Sequence, residues 1–187
     1  MIITFSGTPS CGKSLNARRL ANDLGWERRS VGDIMKELAA EKGLSINQFY
    51  ATLDEAAERT IDNRQREWGK TLDDFIIEGR TSFIMMPESK RYNIFLSLPM
   101  DIAAERAYAK EGQTDYASVQ DAKVKLADRL SMENERYKKL YGVDHLNMKH
   151  YDAVIDASGS PEEVYNQIYN TVQHEMLRRG YTALRHQ

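Results

Sequence analysis

A chain of 187 residues that is 41% hydrophobic and 29% charged can build one well-packed core, and it is too apolar to be read as disordered. Its 26 basic and 28 acidic residues leave a net charge of −2, which argues against a general nucleic-acid or membrane-surface binder. The single cysteine, Cys11, excludes an intramolecular disulfide and points to a cytoplasmic protein.

From the amino end, Ile2 to Ser6 is a short apolar run closed by Gly7, the pattern of a buried strand. The opening MIITFSGTPS has no basic stretch, so no signal peptide is expected. Nowhere does the chain reach the roughly 18 consecutive apolar residues of a membrane span. Leu15, Leu20 and Leu24 recur at helical spacing and stop at Gly25, which suits a helix C-terminus. Trp26 to Ser30 is a second, more charged strand. Asp33 is placed to cap a helix through Ile34, Leu38 and Ala39 that ends near Gly43. Ser45 caps a further helical stretch to Trp68, with a break near Asp54.

Phe75 to Glu78 and Asn93 to Leu98 are buried strands, the second stopped by Pro99. Met100 to Lys110 is helical, 112–116 is a turn, and a polar helix runs on to Tyr141. Ala153 to Asp156 is a fifth strand, and Pro161 opens the last helix at its first position. Tyr165, Ile168 and Val172 form a core face on that helix. Strands alternating with helices predict an α/β fold with a five-stranded parallel sheet in one domain spanning 1–187. Two helical insertions interrupt the alternation, at about 45–70 and 112–145.

Gly7-Thr8-Pro9-Ser10-Cys11-Gly12-Lys13-Ser14 matches G-x-x-x-x-G-K-[ST] without a mismatch, between a strand and a helix as that motif requires. Gly7 and Gly12 let successive N–H groups turn inward onto phosphate oxygens. Lys13 brings a positive charge to the β- and γ-phosphates. The Ser14 hydroxyl is a hard-oxygen ligand for Mg²⁺. The helix dipole that follows also favours an anion. ATP with Mg²⁺ is therefore expected on this loop, in a P-loop NTPase three-layer fold. Cys11 inside the loop reads as a small filler, because no second thiol is present to resolve an oxidised one.

A P-loop does not by itself choose between GTPase, motor and kinase. The guanine-reading Asn-Lys-x-Asp pattern is absent. Glu78-Gly79-Arg80 ends the third strand, and ligands of parallel sheets sit at the carboxyl ends of strands. Arg129 and Arg136 are seven apart on one helix face, with Lys125 and Glu133 nearby. His145 and His150 lie in a polar connection without metal-ligand partners at suitable spacing.

Taken in order, these pieces resemble the nucleoside monophosphate kinases, and within them the short cytidylate kinase-like proteins of the archaeal type. The resemblance is carried by Ile2-Ile3-Thr4 running into the P-loop, by Ser30-Val31-Gly32-Asp33-Ile34, and by Asp62-Asn63-Arg64-Gln65. It continues through Ile77-Glu78-Gly79-Arg80, Arg129 to Arg136-Tyr137, Tyr141-Gly142-Val143-Asp144 and Tyr151-Asp152, over about residues 1–172. It implies a helical acceptor-binding insertion at about 33–70 and a helical lid at about 112–145. It also implies that Arg80 contacts the acceptor's phosphate, and that Arg129 and Arg136 reach the transferring phosphoryl group. Asp33 would lie near the Mg²⁺ and acceptor, with Ala157 to Ser160 beside the adenine of ATP. Lys36 stands where related kinases often have arginine, keeping the charge but losing the planar fork that suits a phosphate. The loop interior Ser10-Cys11 is also less glycine-rich than is usual for the family.

The reaction this implies is transfer of the γ-phosphoryl group of ATP to CMP or dCMP, with Lys13, Arg129 and Arg136 catalytic. Asp33, Lys36, Asp62, Arg64, Gln65, Glu78 and Arg80 would bind the acceptor. Cytosine offers an amino donor and two acceptors. Asp62 and Gln65 share a helix face that could read them, while Arg64 is rotated toward phosphate or a salt bridge. A kinase for AMP, UMP or a non-nucleotide, and a module that holds ATP without turnover, stay open as alternatives. No nucleic-acid or membrane partner is expected, and a monomer is the default.

Overall fold

The computed structural model describes residues 1–111 and 115–182, with residues 47, 51 and 111 as backbone only. The turn expected at 112–116 therefore lies, at 112–114, outside the described residues.

Five strands form one parallel sheet: β1 (Ile2–Gly7), β2 (Glu27–Ser30), β3 (Phe75–Glu78), β4 (Arg91–Ser97) and β5 (Ala153–Asp156). Their order is β2-β3-β1-β4-β5. β1 is central and buried along its whole length, as its unbroken apolar run requires. β2 lies at an edge, so its charged Glu27, Arg28 and Arg29 keep partial access to solvent, and Arg29 lies over the Trp68 ring. The α/β fold and parallel five-stranded sheet are as the sequence predicts. The third strand and the fifth fall on the expected residues, and the fourth is shifted toward its amino end by two residues at the start.

Helix α1 (Lys13–Leu24) ends at Gly25, which takes a left-handed conformation with φ 66°. Its buried face is Asn16, Ala17, Leu20 and Ala21, whereas Leu15 is 58% exposed. The apolar stripe is thus turned from the one the leucines alone suggest, because small residues pack closest to the sheet. α2 (Val31–Glu41) follows β2 directly. Its cap is Ser30, still in extended backbone, whose Oγ accepts from the Asp33 N–H at 3.3 Å. Asp33 is in the first turn rather than at the cap, which frees its carboxylate for other partners. α3 (Ile46–Ala51) opens on a capping box made by Ser45 and Gln48. Asp54 caps α4 (Glu55–Thr71), and this is the break expected near that residue.

A short α5 (Ser82–Met85) precedes β4. α6 (Met100–Glu111) and α7 (Val119–Tyr141) pack together. α8 (Pro161–Arg178) has a capping box between Ser160 and Glu163, and buries Tyr165, Ile168 and Val172 against the sheet. The helices between β2 and β3 hold a small apolar core of their own, centred on Ile34, Leu38, Phe49 and Ile61. That core supports a subdomain beside the carboxyl ends of the strands, separate from the main core around Ile3, Phe5, Leu20, Ile168 and Tyr169. Among the described residues no helix is long and apolar enough to cross a membrane.

Candidate active site

The phosphate loop leaves β1 at Gly7 and enters α1 at Lys13, at the crevice where β3 and β4 flank the central strand. Gly7 runs so close to β4 that a Cβ there would meet the Leu96 carbonyl oxygen at 2.4 Å. Gly12 stands before α1 with φ 83° and no side-chain cap, so the first amides of α1 are left for an anion. Ser10 adopts φ 55°, a left-handed conformation that costs a non-glycine residue about 1 kcal/mol. The loop is tied at both ends. Thr8 Oγ1 accepts from the Leu98 N–H at 2.9 Å, and the Asn16 amide donates to the Gly12 carbonyl at 3.0 Å. Cys11 is 2% exposed and packs into the core as filler.

Lys13 Nζ has the Cys11 sulfur at 4.0 Å, and among the described residues it makes no ion pair. Burial pulls its ammonium below the ordinary lysine range, with Cys11 opposing and the nearby Arg80 charge adding to the effect. A cation held this way, beside a second cation and open helix amides, is arranged for a polyanion.

Glu78 and Arg80 both turn toward this loop. Ser14 Oγ donates to Glu78 Oε2 at 2.5 Å, and Arg28 donates to the other carboxylate oxygen of Glu78. Arg28 also reaches Asp33 Oδ2 at 2.9 Å, and Lys36 reaches Asp33 Oδ1 at 3.2 Å. Burial alone would raise the Asp33 carboxyl, but Lys36 and Arg28 hold it below the usual range. Arg80 donates to the Gly7 carbonyl and, through Nε, to Glu133 Oε2 at 2.7 Å. Glu133 Oε1 accepts from Arg129 Nε at 3.0 Å. Burial would raise the Glu133 carboxyl, and the two guanidiniums more than offset it. One carboxylate on α7 thus fastens the β3 arginine and an α7 arginine to the rim of the phosphate loop. A cleft of about 760 Å³ opens beside it, lined by Tyr50, Arg129, Met132, Glu133 and Arg136. Arg129 and Arg136 share that cleft, as their spacing suggests, but their partners differ: Arg129 lies over the Tyr50 ring, while Arg136 faces Glu58.

On the α4 side, Asp62 and Glu58 are both 7% exposed and both face the Tyr141 hydroxyl, at 2.8 and 3.3 Å. Burial raises both carboxyls, against the partial opposition of Tyr141 for each and of Arg136 for Glu58. One expectation for this helix needs correction, that for Gln65; of the two partners expected for Arg64, a phosphate or a salt bridge, it has the salt bridge. Gln65 is wholly buried and accepts from Ser82 Oγ at 2.9 Å, so it faces the sheet side rather than a ligand cavity. Arg64 is committed to Glu37 at 2.8 Å and Glu41 at 3.8 Å, a brace between α4 and α2. His145 lies in the connection after α7 but is not exposed there. It is 1% exposed, set edge-on to the Tyr137 ring, and burial lowers its pKa to about 4.

Four side chains at the site lack a clear signal in the sequence. Arg28 is one charge in a charged edge strand, and only the register of β2 with β3, which pairs Ser30 with Glu78, brings it to Glu78. Glu133 is legible only as a charge near Arg129, and Glu58 as one acid of an acidic helix start. Arg106 on α6 donates to the carbonyls of Ala157, Ser158 and Gly159 at 2.8, 3.2 and 3.2 Å, and so shapes the segment after β5.

Comparison with known proteins agrees with this geometry. A family model described as "Cytidylate kinase-like family" matches residues 2–159. The cytidylate kinase of Pyrococcus abyssi is 34% identical over 177 residues, covering 93% of this chain and 94% of that protein. The cytidylate kinase of Methanopyrus kandleri is 30% identical, over 96% of each. Among solved structures, shikimate kinase from Aquifex aeolicus vf5 superposes with a TM-score of 0.59 at 19% identity, covering 95% of this chain and 99% of that one. That likeness is one of fold. From the phosphate loop through the α7 arginines to the segment after β5 the family match is continuous, and the chain belongs to the cytidylate kinase-like family.

Proposed function

We propose that this chain is a nucleoside monophosphate kinase that transfers the γ-phosphoryl group of ATP to CMP or dCMP. The observation that carries the reading is the ring of cations at the phosphate loop: Lys13, with no ion-pair partner among the described residues, and Arg80 and Arg129 joined by Glu133. Phosphoryl transfer needs little covalent work from a protein and much fixed positive charge.

In this reading residues 7–14 hold the ATP phosphates, with Gly7, Thr8, Pro9, Ser10, Cys11 and Gly12 offering backbone and Lys13 charge. The Ser14 hydroxyl and the Glu78 carboxylate are hard-oxygen donors 2.5 Å apart and suit Mg²⁺. Held by Ser14 and Glu78, Mg²⁺ bound with ATP would supply neutralising charge to the phosphates. Arg80 holds the acceptor phosphate at the rim, and Arg129 and Arg136 meet charge developing on the transferred group. The helices of about 33–70 form the acceptor side and those of about 112–145 the lid, whose closure excludes water. Asp62 faces the base. The near-balanced charge supports action on small molecules rather than on nucleic acid or a membrane surface.

A coupled ADP-release assay across CMP, dCMP, UMP, AMP and shikimate tests the proposal. CMP or dCMP should give the highest kcat/KM. Highest turnover with AMP or shikimate, or ADP release that ignores the acceptor, would overturn it.

Lys36 allows a narrower test. Its side chain is 70% exposed on α2 and, among the described residues, pairs with Asp33, so it can swing to an acceptor phosphate without orphaning a buried group. Lys36→Ala should weaken acceptor binding by about tenfold, the worth of one charged hydrogen bond, and leave ATP affinity unchanged. Calorimetric titration of each nucleotide separately checks this, and equal acceptor affinities in the two proteins would remove Lys36 from the phosphate site.

A further inference from the structure

Tyr141 sits between two carboxylates with one hydrogen to give. Its hydroxyl is 2.8 Å from Asp62 Oδ2 and 3.3 Å from Glu58 Oε2, and it serves the nearer oxygen better. The second oxygen of Glu58 is also short of a donor. Arg136 Nε lies 2.9 Å from Glu58 Oε1, yet its hydrogen does not point there, and both atoms are buried without a hydrogen bond. Buried polar atoms in this condition are uncommon in folded proteins and ask for a partner.

Glu58, Asp62 and Tyr141 line a cavity of about 370 Å³ on the outer side of α4. The same three line a second space of only about 30 Å³ on the inner side, walled by Val31, Met35 and Leu53. Thr81, next in the chain to Arg80, lies on that inner wall. The Tyr141 side chain therefore borders both spaces.

We infer that Glu58 and Asp62 together grip the exocyclic amino group of the acceptor base, and that the Tyr141 hydroxyl holds their place until the base arrives. An amino group carries two N–H hydrogens, one for each carboxylate, where the hydroxyl has one. The apolar Val31, Met35 and Leu53 suit the faces of a flat ring. Arg136, freed from Glu58, turns its unpaired Nε–H to a ring acceptor or to the phosphoryl group. Uracil has a carbonyl where cytosine has the amino group, and that carbonyl faces two carboxylates with no hydrogen to offer. A site built for donors rejects such a base because its own oxygens stay unpaired. Glu58 thus becomes a specificity residue. The inference rests on the CMP reading above and adds to it the second carboxylate and the displaced phenol.

The test is kcat/KM for CMP and UMP in the wild type, Glu58→Gln and Tyr141→Phe. Glutamine keeps the size of Glu58 and can donate to a carbonyl, so the CMP-to-UMP ratio should fall by about tenfold or more while KM for ATP holds. An unchanged ratio in Glu58→Gln, with the wild type preferring CMP, overturns this inference alone. A wild type that does not prefer CMP removes the acceptor reading and this inference with it. Tyr141→Phe guards against a Glu58 variant that does not fold. Removing the placeholder should tighten CMP binding severalfold by calorimetry without tightening UMP, whereas CMP affinity that stays the same or weakens overturns the displacement.

Discussion

Lys13→Ala is expected to lower kcat by about 1,000-fold or more while the protein remains folded. The Lys13 ammonium makes no ion pair among the described residues, so its loss strands no buried carboxylate. Burial and the Arg80 charge lower its pKa, and Cys11 and the more distant Glu78 and Glu133 carboxylates only partly oppose them, so the environment holds the cation at a cost to its own protonation. Such an arrangement is explained by an anion that enters later, not by packing. Removing the charge should therefore leave the melting temperature within a few degrees and abolish most turnover. Steady-state ADP release and a thermal melt on the same preparation check both halves. A variant with near-wild-type kcat would sink the mechanism proposed for this site.

Arg129→Ala should lower kcat by about 100-fold or more with KM for ATP changed by less than about threefold. Among the described residues the Arg129 Nε donates to Glu133, and its guanidinium lies over Tyr50 at the open cleft. In the proposed mechanism the remaining N–H groups meet charge that appears during transfer. Glu133 keeps its bond to Arg80 in the variant, so the rim of the loop should persist. Arg136→Ala is expected to differ, because its partner is Glu58 on the acceptor side, and KM for the acceptor should move together with kcat. Kinetics at saturating and limiting levels of each substrate separate the two cases. If Arg129→Ala raises KM for ATP and spares kcat, Arg129 binds the ground state and its assigned role fails.

Much of the fold is legible because its signals are local. The phosphate loop is eight consecutive residues whose types answer to backbone angles and phosphate charge. The break at Asp54, the cap at Ser45 and the capping box at Ser160 each follow from a side chain bonding an amide three residues on. Where the local signal misleads, the competitor can be named. Asp33 reads as a cap, but Ser30 at the end of β2 reaches the free amide first. Leu15 reads as core, but α1 buries its small residues against the sheet and leaves Leu15 in solvent.

The site divides along the same line. The sequence by itself determined the phosphate loop, the parallel α/β plan, and the approach of Glu78 and Arg80 to the loop, since a strand end in a parallel sheet has one place to go. It also placed Arg129 and Arg136 on one helix face, because helical spacing is a property of the chain. Only the tertiary structure decided their partners. Glu133 lies 53 residues from Arg80, Glu58 lies 83 from Tyr141, and Arg28 lies 50 from Glu78. No periodicity spans such separations. A charged residue on a solvent-facing helix and one that clasps an arginine across the molecule have the same letter and the same local pattern. What distinguishes them is burial and the direction of approach, and both arise only when α4 and α7 meet over the carboxyl ends of the strands.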